Sequence, residues 1–127
     1  MYKKNIKYVD YNGKERADDF YFNLNKVECT KLQLSTKQGY GEYIKKIVDN
    51  EDKEAIFDVF NDIILESYGV KSEDGMYFKK SPELKIQFSQ TPAYEALFME
   101  LATNPKEAEN FIKAVMPSDL VSQLEQK

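Results

Sequence analysis

Between Lys53 and Tyr68 the apolar residues Ile56, Phe57, Phe60, Ile63, Ile64 and Tyr68 follow one another at spacings of 1, 3, 3, 1 and 4. That is one face of a 3.6-residue period, and it commits this stretch to an amphipathic helix. Phe60 sits at the centre of the stripe and is expected in the core. Asp58, Asp62 and Glu66 recur every four residues on the opposite face. Gly69 stands where a helix C′ residue is expected.

The rest of the chain supplies partners for that face. Residues 2–24 alternate as a β-hairpin does, with Ile6 and Tyr8 before Asn12-Gly13 and Phe20 and Phe22 after it. A two-residue loop at Asn12-Gly13 would put the two pairs on opposite faces. A three-residue loop, Tyr11-Asn12-Gly13 with Gly13 in a G1 bulge, puts all four on one face and is the preferred reading. Asn25 is a plausible N-cap with Glu28 as its capping-box partner, opening a short helix to about Leu34. Gly39 and Gly41 break the pattern, and a second helix runs from about Glu42 to Val48. Asp49-Asn50-Glu51-Asp52 is a polar connection. Val70–Lys80 is a loop or a small hairpin.

Ser81-Pro82, Thr91-Pro92 and Asn104-Pro105 each pair an N-cap with a proline at the first helical position. The second of these helices has the stripe Tyr94, Leu97, Phe98 and Leu101. The third points Ala108, Phe111, Ile112, Val115 and Met116 inward, and Pro117 ends it. Ser118–Glu125 adds one last turn or two, and Gln126-Lys127 frays. The fold class expected is therefore α+β, mainly helical, as a single domain over 1–127: an N-terminal β-hairpin packed on five or six helices.

The composition narrows function. The chain has 127 residues, enough for a core without staples. Residues 1–50 hold ten Lys and Arg against seven Asp and Glu, and residues 51–127 hold eight against fifteen. An acidic second half argues against nucleic acid as a partner, because phosphate binding needs a basic surface. With no histidine, His-built zinc sites and His-based triads are excluded. The one cysteine, Cys29, forms no internal disulfide, lacks a histidine to activate it, and reads as a small buried hydrophobe. No apolar run is long enough to span a membrane, and the basic start Met1–Ile6 leads into no apolar signal region, so the expected address is the cytoplasm.

Nothing in the sequence carries a catalytic, cofactor or metal motif. Gly39-Tyr40-Gly41 has no GxGxxG and no Walker lysine, and reads as a turn. Asp49–Asp52 lacks the glycine and the twelfth-position glutamate of a calcium loop. Asp58, Asp62 and Glu66 form a carboxylate row, but on the solvated face of an amphipathic helix. No cofactor and no enzymatic activity are expected. Leu65 and Met99 lie off the main stripes of their helices. They pack under a neighbouring helix or present a partner-binding surface.

A resemblance extends this reading. The segment Ile63-Ile-Leu-Glu-Ser-Tyr-Gly-Val-Lys-Ser-Glu-Asp-Gly, then Phe78-Lys-Lys-Ser, then Phe88-Ser-Gln-Thr-Pro-Ala-Tyr-Glu-Ala-Leu-Phe-Met-Glu-Leu-Ala-Thr resembles the tail assembly chaperones of long-tailed siphophages and prophages of Gram-positive bacteria. Tyr11-Asn-Gly with Asp19-Phe-Tyr-Phe-Asn-Leu, and the ending Met116-Pro-Ser-Asp-Leu, are similar to that family's strand pair and close. The resemblance covers nearly the whole chain and is most specific over Phe88–Thr103. It implies a non-catalytic protein of the bacterial host cytoplasm, absent from the mature virion. Its implied partners are the tape-measure protein, which it keeps soluble, and the major tail protein, which it helps recruit, with a second copy of itself as a further candidate. Many members also have a longer, frameshifted form. The competing reading is a small phage or host regulatory adaptor that binds a bacterial protein.

Overall fold

The computed structural model describes residues 1–34 and 40–116. The elements run β1 (Tyr2–Val9), β2 (Glu15–Phe22), α1 (Lys26–Leu34), α2 (Tyr40–Asp49), α3 (Lys53–Ser67), β3 (Tyr68–Lys71), β4 (Phe78–Lys79), α4 (Pro82–Ser89), α5 (Pro92–Thr103) and α6 (Pro105–Val115).

The hairpin forms with the three-residue loop. Tyr2 pairs with Phe22, Ile6 with Asp18 and Tyr8 with Arg16, which places Ile6, Tyr8, Phe20 and Phe22 on one face. The loop is set by Asp10, whose Oδ1 accepts from the backbone N–H of Asn12 and of Lys14 at 2.9 Å each. Gly13 closes it at φ +81°, the left-handed conformation that a bulged turn requires. Lys4 shares the inward face and reaches out to Glu100 of α5 at 3.0 Å, tying hairpin to helix.

Helix starts follow local chemistry closely. Asn25 and Glu28 exchange reciprocal capping bonds at 2.9 Å. Ser81, Thr91 and Asn104 each cap a helix with proline in its first turn, accepting from Leu84, Tyr94 and Glu107 respectively. Asp52 caps α3 by accepting from Ala55 at 3.1 Å. Cys29 is buried, with its Sγ against the Leu24 carbonyl.

Four expectations need correction. Gly69 is no helix cap: α3 ends at Ser67, and Tyr68 and Gly69 enter β3 in extended geometry. β3 joins the hairpin through Tyr21↔Gly69 and Phe22↔Tyr68, and with β4 makes a four-stranded sheet in the order β1-β2-β3-β4. A side chain at Gly69 would meet Phe78 Cε2 at 2.7 Å and the Lys79 carbonyl at 2.8 Å, so close strand approach is what requires glycine here. The stripe on α3 is also rotated: Val59, Ile63, Ile64 and Ser67 are buried, Ile56 and Phe60 only partly, and Phe57 is exposed. Packing on both the α2 and the α5 side centres the buried sector on Ile63, leaving Phe57 at its edge. Gly41 lies within α2 rather than in a turn. The expectations for Gly39 and for residues 117–127 fall outside the described residues.

The core joins sheet and helices through Phe22, Leu24, Ile63, Ile64, Phe88, Leu97, Leu101, Phe111 and Val115. Two backbone bonds bring the chain after β2 against distant elements: Asn23 N–H to the Ser67 carbonyl at 2.7 Å, and Leu24 N–H to the Val115 carbonyl at 2.8 Å.

Two substitutions test this packing by urea denaturation. Phe22→Ala, which removes a fully buried ring, is expected to cost about 3–5 kcal/mol. Gly69→Ala is expected to cost about 1–3 kcal/mol, since its methyl meets paired backbone and an aromatic ring.

Candidate partner-binding surface

Aromatic residues at the joint of α3, α4 and α5 run from the core to the surface. Phe88 is buried against Tyr94, edge to face at 5.9 Å. Tyr94 leans on Phe98 at 5.8 Å, one helical turn further along α5. Phe98 then stacks flat on Phe57 of α3, with centroids 5.4 Å apart and planes 7° from parallel. The Tyr94 hydroxyl donates to Asn61 Oδ1. Phe57 thus meets Phe98, while Asn61, four residues on, meets Tyr94, four residues back. The two helices are therefore antiparallel along this seam.

The seam opens into a groove of about 390 Å³ lined by Tyr11, Ser89, Gln90, Thr91, Tyr94, Glu95, Phe98 and Met99. Tyr11, from the hairpin loop, is 84% exposed, Met99 is 51% and Phe57 is 46%. Clustered exposed apolar side chains with a polar rim mark a contact surface more often than scattered ones do. A larger hollow of about 600 Å³ lies on the hairpin between Lys7 and Ala17. Arg16 there is engaged with Asp10 and Asp18, and Tyr8 donates to Asp18, and the only apolar side chains in its lining are Val9 and Ala17. The aromatic groove is the stronger candidate.

Met99 and Leu65 separate at this point. Met99 is exposed and lines the groove, whereas Leu65 is partly buried and packs against the core. Phe57, Phe98 and Tyr11 were not singled out from sequence as surface residues. Phe57 and Phe98 read as members of inward stripes, and the seam's position at the edge of the core leaves Phe57 exposed and Phe98 partly buried at the groove. The one available signal was that Phe57 stands next to Asp58, at the border of the apolar and acidic faces.

Burial raises the pKa of the Tyr94 phenol and of Tyr68. The Asp62 carboxyl is also raised, first by loss of solvation and then by Asp58 and Glu66 beside it. Among the described residues no three Asp, Glu, Cys or His side chains converge as a metal site would require, and no helix is long and apolar enough to cross a membrane.

The fold and this surface together define a small α+β domain presenting an aromatic groove on a helical seam. A family model described as phage tail assembly chaperone matches residues 1–127, and the chain belongs to that family. No curated protein and no solved structure matches the chain.

Asp62 gives a test of the local electrostatics. A carboxyl that holds its proton more tightly in the folded chain costs stability once pH rises past its ordinary value of 3.8, where the unfolded chain ionises first. Below that value both states are protonated and the cost vanishes. Asp62→Asn is therefore expected to raise the melting temperature at pH 7 and leave it unchanged near pH 3. The gain is roughly a few tenths of a kcal/mol, because solvent screens a largely exposed side chain.

Proposed function

We propose that this chain binds the tape-measure protein of a long-tailed phage, keeps it soluble, and helps recruit the major tail protein as the tube is built. On this reading it works without catalysis in the cytoplasm of a Gram-positive host and leaves before the virion is complete. The family membership supports a role in tail assembly. The observation that supports the finer reading is the exposure of Tyr11 and Met99 in one groove, with exposed Phe57 stacked on the groove residue Phe98 beside it.

The physical logic concerns aggregation. A long helical protein with exposed apolar stripes self-associates until something covers them. A cover must offer apolar side chains of its own, ringed by charge that keeps the complex dispersed. It must also come off, so several moderate contacts serve better than one very tight site. Met99 fits such a contact.

Co-expression tests this directly. The tape-measure protein is expected to move from pellet to supernatant when this chain is present, and the two are expected to co-purify. Unchanged solubility, with no complex with either the tape-measure or the major tail protein, would overturn the reading.

A further inference from the structure

The antiparallel α3–α5 seam fixes what flanks it. In two antiparallel right-handed helices, the residues one step beyond the contacting ones turn to the same side of the seam, about 100° round each helix. The contacting residues are Phe57 and Asn61 on α3 and Tyr94 and Phe98 on α5. One step back lie Ile56, Phe60, Ala93 and Leu97, which face the core: Ala93 and Leu97 are buried, Ile56 and Phe60 partly so. One step forward lie Asp58, Asp62, Glu95 and Met99, and all four are exposed. The solvent side of the seam is thus an aromatic floor with Asp58 and Asp62 along one wall and Glu95 and Met99 along the other. Tyr11 stands over the second wall.

These carboxylates are not neutralised. Among the described residues, Asp58, Asp62 and Glu95 have no cation within ion-pair distance, whereas Glu66, further along α3, is paired with Lys85 at 2.9 Å. Among the described residues Glu95 is the only charged side chain lining the hollow on the α5 side, and Asp58 and Asp62 stand outside that hollow, across the seam on α3. An apolar floor excludes water and strengthens the field of the acids beside it, so a cation brought there gains more than it would on open surface.

We infer that this seam is a helix-binding groove, and that its occupant is an amphipathic helix whose apolar stripe is flanked by Lys and Arg. The stripe covers Phe57, Phe98, Met99 and Tyr11, and the flanking cations reach Asp58 and Asp62 on one side and Glu95 on the other. In the chaperone's setting, which rests on the function proposed above, the helix belongs to the tape-measure protein. Partial burial, then Asp58 and Glu66 beside it, raises the Asp62 pKa, and a cation arriving there would offset it. The acids also choose between clients, since a helix flanked by Asp and Glu would be repelled.

Two probes separate this inference from the chaperone reading. The first is a synthetic amphipathic helix of Leu and Lys, about five turns long, with a Leu and Glu peptide of the same pattern as counterpart. The full chain is expected to bind the Lys peptide and not the Glu peptide. Met99→Glu is expected to weaken Lys-peptide binding on the order of tenfold, as loss of a central apolar contact does. Asp62→Lys with Glu95→Lys is expected to reverse the preference, and Val27→Glu, at an exposed site on α1, to leave binding unchanged. Attraction to acidic surface alone would leave Met99→Glu binding the Lys peptide at least as well as the unaltered chain. That result, or equal binding of both peptides, overturns the groove. The second probe is tape-measure solubility in co-expression. If the unaltered chain and Met99→Glu rescue it equally, the groove is wrong and the chaperone reading stands. If neither rescues it while the peptide pattern holds, the groove stands and the tape-measure reading fails.

Discussion

Phe88 lies flat against Tyr68, with ring centroids 4.1 Å apart and planes 5° from parallel. Around this stack, Phe20 and Phe22 of the hairpin approach Phe88 at 5.5 and 5.8 Å, and Tyr94 of α5 meets it edge on. Strands β2 and β3 and helices α4 and α5 all contribute a ring to this one joint. Aromatic rings bury large areas and hold preferred relative angles, so a cluster of them fixes how elements cross as well as how strongly they adhere. A small domain without staples depends on such a joint. The exposed groove depends on it too, because Tyr94 carries the ring ladder outward to Phe98 and Phe57.

Lys80 provides a second constraint by a different means. Its ammonium donates to the Asn23 carbonyl at 2.6 Å, to Glu28 Oε2 at 2.6 Å and to the Glu66 carbonyl at 2.8 Å. All three of its donors are used, and the side chain is mostly covered, so this is a satisfied charge rather than an isolated buried one. The clasp joins the link after β2, the start of α1 and the end of α3. Glu28 serves twice, since its other oxygen closes the capping box with Asn25. Ser67 is satisfied locally, its hydroxyl donating to the Ile63 carbonyl at 2.6 Å. Polar groups near the core are thus partnered, in contrast with the acids along the groove.

That contrast bears on function. The same chain pairs Lys4 with Glu100, Lys80 with Glu28 and Lys85 with Glu66, yet among the described residues Asp58, Asp62 and Glu95 have no cation beside the seam that exposes Phe57. Exposed Phe57, Met99 and Tyr11 contribute little to the stability of the free chain, since much of their surface still meets water. Their arrangement makes physical sense as a surface that gains most when covered.

Local structure was largely legible in the sequence, because its determinants are local. The hairpin register followed from requiring four apolar residues on one face. The starts of α1, α4, α5 and α6 followed from a cap residue and, in three cases, the proline after it. What the linear sequence left undecided was set by neighbours far along the chain. Gly69 read as a helix cap because nothing near it in sequence shows that Phe78 and Lys79 fold back against its α-carbon. The small hairpin within Val70–Lys80 was one of two readings open in sequence, but its docking on β2 was hidden, because the partner Tyr21 lies almost fifty residues earlier. Phe57 and Phe98 have the period of core residues, and by period alone they are core. Only the antiparallel packing of α3 on α5 places them at the margin, and periodicity reports which residues share a face but not where that face meets solvent.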